Sequence, residues 1–202
     1  MHYYEPRHGH GLRHDPFNAI VGPRPIGWIS TRSAAGALNL APYSFFNAFN
    51  YTPPIVGFAS IGHKDTLRNI EQTGEFAWNL VTVPLAQAMN QTCAPVQPEV
   101  SEFELAGLSP VASRVIGVPR VRESPVSFEC RRTQIVQLQG ASGEKVATWL
   151  VLGEVVAVHV AESLIKDGVY DTAAAQPVVR GGGPADYFTI GPQQLFRMFR
   201  PT

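Results

Sequence analysis

The sequence predicts a mainly β protein, an antiparallel barrel with a few short peripheral helices. Three observations predict it. Short runs rich in β-branched and aromatic residues recur between Gly and Pro turn signals, the pattern of closed or sandwiched antiparallel sheets. The regular strand–helix alternation of a parallel doubly wound sheet is missing. The stretch 126–160 reads as one hairpin with long arms.

The elements follow in order. Residues 1–16 are polar and hold four of the six histidines, His2, His8, His10 and His14. Such a segment reads as an irregular arm; a metal site is conceivable, since imidazole is a common ligand. Residues 17–202 form one domain, with no internal repeat and no dividing linker. Ile26–Thr31 is a strand, Ala34–Ala37 a turn, and Leu38–Ala41 a return strand closed by Pro42. A loop heavy in Asn, Pro and Ser follows. Ile55–Ser60 is a short apolar run, as in a strand covered on both faces. Asp65 is suited to cap a helix over Thr66–Thr73, with Leu67 and Ile70 as its apolar stripe and Gly74 ending it. Glu75–Thr82 is a strand and Pro84–Thr92 a short helix with proline at an early position. Pro95, Pro98 and Pro110 break any long element between 93 and 114. Ser127–Gln139 and Ala147–Val160 are the arms of the hairpin, and Gly153 marks a bulge or bend. A glycine-rich turn after Gln176 leads to a last short strand.

The chain has 202 residues, 45% hydrophobic and only 16% charged. That is enough apolar content for a sizeable core, and so little charge fits a homo-oligomer that hides part of its surface. The formal net charge is zero, so no basic field draws nucleic acid or an anionic membrane. No apolar run approaches the roughly 20 residues of a membrane helix. The N-terminus lacks the apolar stretch of a signal peptide, and Cys93 and Cys130 form neither a C-x-x-C pair nor a disulfide pattern. A reducing, cytoplasmic setting is expected.

Two constellations carry chemistry. The first is Ser60-Ile61-Gly62-His63-Lys64-Asp65-Thr66, where a strand runs into a helix. The unpaired N–H groups of a first helical turn and the helix dipole favour an anion. Ser60 and Thr66 offer hydroxyls, Gly62 permits close backbone approach, Lys64 supplies charge and His63 a further donor. A Lys at a helix start is often a solvated surface charge, but it opposes the dipole unless an anion is present. The second is Trp28-Ile29-Ser30-Thr31 with Asn39 and Ala41 to Asn47. Aromatics interleaved with Ser and Asn suit the faces and edge of a flat heteroaromatic ring, or a core with a few satisfied polar groups.

Other motifs are silent. Gly181-Gly182-Gly183 lacks the G-x-G-x-x-G spacing and a following helix. His159 is open to three roles: core residue, general acid or cofactor contact, including an axial ligand if the barrel held haem. Neither cysteine has a neighbouring His/Asp signature for nucleophilic work.

The ordered set RPIGWIST (24–31), NLAPYSFFNAF (39–49), FAS (58–60), KDTLRNI (64–70), GEFAWNLV (74–81), LVLGEVVAVHV (150–160) and PVVRGGGPADYFTIG (177–191) resembles the flavin reductase-like family of FMN-binding split β-barrels, flavoredoxin-type proteins included. The likeness spans most of the chain, from about Asn18 to Gly191. It implies a six-stranded antiparallel split barrel of Greek-key type, forming a homodimer with FMN near the interface. By position, Trp28, Ile29, Ser30 and Thr31 would line the isoalloxazine, and Ser44, Phe45, Phe46 and Asn47 would meet its polar edge. Ser60, Lys64 and Thr66 would hold the phosphate, with Gly62 and His63 beside it, and Arg180 and Tyr187 would approach the site. The implied activity is NAD(P)H:flavin reduction, with NADH or NADPH as transient hydride donor, electrons leaving to flavin or another acceptor, and a monooxygenase as one kind of partner. An FMN electron carrier without NAD(P)H turnover of its own is the alternative. The His-rich arm has no counterpart in the family pattern.

Overall fold

The computed structural model describes residues 1–97 and 100–201; Pro98, expected as a breaker, lies outside them. The arm has one 3-10 turn at Pro6–His8 and is tied to itself, the His2 ring donating to the His10 carbonyl at 2.8 Å. After one helical turn, α1 (Phe17–Ile20), come β1 (Arg24–Pro25), β2 (Gly27–Arg32), β3 (Leu38–Tyr43), β4 (Phe46–Asn50) and β5 (Ile55–Ile61). Next are α2 (Asp65–Thr73), β6 (Glu75–Asn79), α3 (Ala86–Gln91), α4 (Glu102–Leu105), β7 (Pro110–Val111) and β8 (Arg120–Val121). The long strands β9 (Val126–Gln139) and β10 (Lys145–Val160) precede β11 (Ile165–Lys166), β12 (Val169–Tyr170), β13 (Val178–Arg180) and β14 (Tyr187–Thr189). No helix among the described residues is long and apolar enough to cross a membrane.

One seven-stranded sheet, in the order β3-β2-β6-β9-β10-β5-β4, dominates, and its pairings are antiparallel. Its two edges, β3 and β4, are consecutive in the chain, joined only by Ser44 and Phe45. Three Cα steps span at most about 11 Å, whereas the edges of a flat seven-stranded sheet lie about 28 Å apart. The sheet therefore curls until its edges meet at that corner, where the Ala59 N–H donates to the Phe45 carbonyl at 2.9 Å. This is the split barrel, with seven strands where six were expected. The additional strand, β4, reads FNAFN, and its Asn content masked it as loop.

Pro42 does not close β3, which runs on to Tyr43. As an edge strand it has one side free of ladder bonds, so the missing N–H is tolerated. The helix begins at Asp65 with Lys64 as the N-cap residue, so Asp65 is not the cap; it pairs instead with Arg68 at 2.8 Å. Gly74 ends the helix in the left-handed conformation as expected, φ 75°. The pairing register shifts between Leu152 and Gly153, and a Cβ on Gly153 would meet Phe76 at 2.4 Å. The expected bend is thus also a close approach that admits no side chain.

The two faces of the sheet bury two cores. Ile29, Phe46, Phe58, Phe76, Trp78 and Val151 fill the barrel, plugged at one end by Leu67 and Ile70 of α2. Trp28, Leu40, Val81, Met89, Phe103 and Val178 form the second core under α3 and α4. Neighbours Trp28 and Ile29 fall in different cores because side chains alternate across a strand.

Candidate functional site

β5 delivers the chain to a corner where Ser60, fully buried, donates to the Gly62 carbonyl at 2.9 Å and Gly62 takes φ 85°. α2 then starts from Lys64 in extended conformation, with no side-chain cap. Its first intrahelical bond runs from the Arg68 N–H to the Lys64 carbonyl at 3.0 Å. The N–H groups of the first turn are left to meet an acceptor from outside, at the positive end of the dipole.

Against this turn lies a cavity of about 650 Å³. Its walls are the end of β3 with the corner (Asn39, Ala41 to Phe45), the α2 start (Lys64 to Thr66, Arg68), the segment Thr92 to Val96, and Asn18, Ala59, Ile61 and Glu102. Lys64 has no ion-pair partner among the described residues. Thr66 accepts the Asn39 amide at 2.9 Å. Tyr43, 7% exposed, carries a buried hydroxyl that meets no partner in hydrogen-bond geometry. Burial pushes its phenol pKa up, tempered by the nearby Thr66 and Ser60 hydroxyls. Glu102 accepts the Leu40 N–H at 2.9 Å, and burial holds its carboxyl above the usual range. Burial also raises the Cys93 thiol, against the opposing influence of Lys64 and Arg180.

Of the residues singled out from sequence, Asn39, Ala41, Pro42, Tyr43, Ser44, Phe45, Lys64 and Thr66 meet in this cavity. The side chains of Trp28, Ile29, Ser30 and Thr31 do not line it; they are fully buried behind its wall. Trp28 Nε1 donates to Thr92 Oγ1 at 3.0 Å, Ser30 to the Pro119 carbonyl at 2.6 Å, and Asn69 to Thr31 at 3.1 Å. Phe46 stacks on Trp78 in the barrel, centroids 5.6 Å apart, and Asn47 faces solvent with its Oδ1 on the Ala48 N–H. Ser60 and Gly62 shape the turn without lining the cavity. His63 is drawn away by Glu71, 2.8 Å, and the edge of Trp149. Arg180 donates to the carbonyls of Gly182, Gly183, Pro184 and Asp186 and lies over the Tyr187 ring, so it shapes the glycine turn. His159 binds Glu129 at 2.6 Å and is not among the residues lining the cavity.

Sequence reasoning assigned no role to two residues that matter here, Glu102 and Arg24. Arg24 is 8% exposed and donates to the carbonyls of Asn18, Val21, Ser44 and Gly181, tying three separate segments of chain together at the cavity rim. Burial lowers its pKa, and so does Arg180. Its only local mark is a position between two prolines, which reports backbone shape and not burial.

The profile of the flavin reductase like domain matches residues 22–178. An uncharacterised protein of Halalkalibacterium halodurans is 38% identical over 94% of this chain and 93% of its own length. Nitrilotriacetate monooxygenase component B from Bacillus cereus has a similar structure, with TM-score 0.86, 32% identity and 98% of each chain covered. A Shewanella frigidimarina structure described as having a split barrel domain aligns at TM-score 0.84 and 26% identity, covering 98% of this chain and 99% of its own.

Proposed function

The chain belongs to the flavin reductase-like domain family, and on that premise we propose that it is an FMN-dependent oxidoreductase of the NAD(P)H:flavin reductase type. The observation that carries this is the cavity of about 650 Å³ with an uncapped helix N-terminus and Lys64 at one end. The residues present fit the group. The volume lies within the range of small-molecule sites. The helix start and Lys64 suit a phosphate, and Ala41, Pro42, Phe45 and Ile61 offer apolar wall to a flat ring. When bound, FMN would supply the two-electron chemistry itself.

The chain's own residues would bind, orient and exclude water. Lys64 and Thr66 would hold the phosphate, which leaves Thr66 fixed by Asn39. Ser44 and Phe45 would bound the ring side, kept in place by Arg24 on the Ser44 carbonyl at 3.0 Å. Trp28, Ile29, Ser30 and Thr31 would back that wall without facing the ligand. NADH or NADPH would donate hydride transiently, and free flavin or another acceptor would take the electrons. A partner monooxygenase fits the likeness to a monooxygenase component B. Exposed Phe17, Ile20, Phe188, Phe196 and Phe199 fit a homodimer that covers them. Free thiols at Cys93 and Cys130 agree with a cytoplasmic setting.

The test is a visible spectrum of the purified protein, before and after FMN reconstitution, followed by anaerobic stopped-flow mixing with NADH and NADPH. Flavin absorbance that bleaches rapidly is expected. A protein that takes up no FMN overturns the proposal; one that holds FMN yet is not bleached is an electron carrier only.

A further inference from the structure

Glu102 is a buried carboxyl without a cation. It is 8% exposed, lines the cavity and forms no ion pair among the described residues. What it receives comes from backbone. Its Oε2 accepts the Leu40 N–H at 2.9 Å, which ties α4 to β3, and its own N–H adds a weaker hold. Neutral donors compensate a buried charge less well than a cation does.

The groups around it do not supply that cation. On α2, Arg68 is paired with Asp65 at 2.8 Å, and the Asp65 charge repels Glu102. Tyr43 on β3 and Cys93 beyond α3 are neutral, burial raising both of their pKa values. On α4 itself Glu104 is exposed. At the rim, Arg24 is held by four carbonyls and Arg180 by the glycine turn. Lys64 is the unpaired cation of the wall, and the FMN reading gives it to the phosphate. Burial, and then Asp65, already push the Glu102 carboxyl above its ordinary value, against the two N–H groups. A phosphate monoester brings nearly two negative charges into the same cavity. Charges that share a buried space are little screened, so they push the carboxyl further. We infer that Glu102 is a proton-linked residue of this cavity, ionised in the unliganded protein at neutral pH and protonated as a phosphate-bearing flavin binds. This rests on the FMN reading of the cavity. The complex then holds the extra proton, so affinity rises as pH falls through the range of the carboxyl.

Glu102→Gln keeps the shape and an oxygen for the Leu40 N–H, but it is always neutral. Near pH 8 it should bind FMN more tightly than the parent, about tenfold for each unit by which the ligand displaces the carboxyl. The two affinities should converge towards about pH 5. The phosphate of FMN titrates in the same range, but it is common to both proteins and cancels in the ratio of their Kd values. Riboflavin, which lacks the phosphate, should bind both proteins alike throughout. A merely structural carboxyl predicts the opposite sign, a variant that binds FMN no better or worse. A second measurement needs no variant and decides the matter if Glu102→Gln does not fold. Infrared difference spectra of the parent near pH 6.5 should gain a protonated-carboxyl C=O band with FMN and not with riboflavin, whose ring carbonyls are the same. Equal or weaker FMN binding by the variant near pH 8 overturns the inference. So does the same gap for riboflavin, and so does FMN binding without the carboxyl band. Those results leave the FMN reading standing, whereas a parent that binds no FMN removes both.

Discussion

Two polar clusters in this protein, one around Glu129 and one at the start of α2, are built on opposite principles. Around Glu129, fully buried, every acceptor is matched. One carboxylate oxygen takes the Arg114 N–H at 2.7 Å and His159 Nε2 at 2.6 Å; the other takes the N–H groups of Val115 at 2.7 Å and Ile116 at 3.2 Å. Glu75 on the Gly117 N–H, 2.7 Å, and Ser113 on the Val118 carbonyl, 2.6 Å, complete the strut that holds this loop to the sheet. Burial pushes the Glu129 carboxyl pKa up, but the Arg114 N–H, His159 and the Val115 N–H outweigh it and hold the group below its ordinary value. At the α2 corner the helix start carries no side-chain cap, and Lys64 has no ion-pair partner among the described residues. A saturated cluster stabilises its own fold; an unsaturated one facing a cavity is poised for something from outside.

The largest expected effect tests the saturated cluster. Glu129→Ala strands three loop N–H groups and His159, and should cost about 3–5 kcal/mol of unfolding free energy in denaturant titration, the range for breaking a buried pair. FMN affinity of the folded protein should hold; a parallel loss of binding would erase the distinction between the clusters. The opposite pattern is expected of Lys64→Ala. FMN binding should weaken by about 1–3 kcal/mol by fluorescence titration, while apo stability stays within about 0.5 kcal/mol. Unchanged affinity would move the phosphate away from α2.

Acid sharpens the comparison next. A carboxyl held low in the folded state contributes stability that is present above its unfolded pKa of about 4.3 and is lost as pH falls through the folded value. Denaturation midpoints of the parent and Glu129→Gln should therefore converge as pH drops from near 5 to near 2; a gap that persists would mean Glu129 is not ionised in the fold. The smallest effect belongs to His63→Ala. The exposed His63–Glu71 pair should be worth under about 1 kcal/mol, with no change in FMN affinity. A clear rise in Kd would return His63 to the site.

Much of the fold was legible because it is written in short range. The strand runs, the Gly74 stop of α2, the Gly153 bend and the hairpin over 126–160 all follow from local preference and turn chemistry. β4 was not, because Asn-rich FNAFN becomes a strand only when β5 supplies its partner. At the site, Lys64 and Thr66 were legible from the strand-to-helix spacing, and Ser44 and Phe45 from the family pattern. Glu102 and Arg24 were not, since their roles depend on partners such as Leu40, 62 positions from Glu102, and Gly181, 157 positions from Arg24.

The sequence by itself determined the class of fold, the positions of most strands and the presence of a lone charge at a helix start. Only the tertiary structure decided which residues face the cavity. In a strand with one wet face, alternation would tell inside from outside. Here β2 is buried on both faces, Trp28 in one core and Ile29 in the other, so alternation assigns two cores and leaves the ligand wall to the corner at Ser44 and Phe45. That corner exists because the two edges of one sheet are two residues apart in the chain, and closing them brings β3 beside the open end of α2.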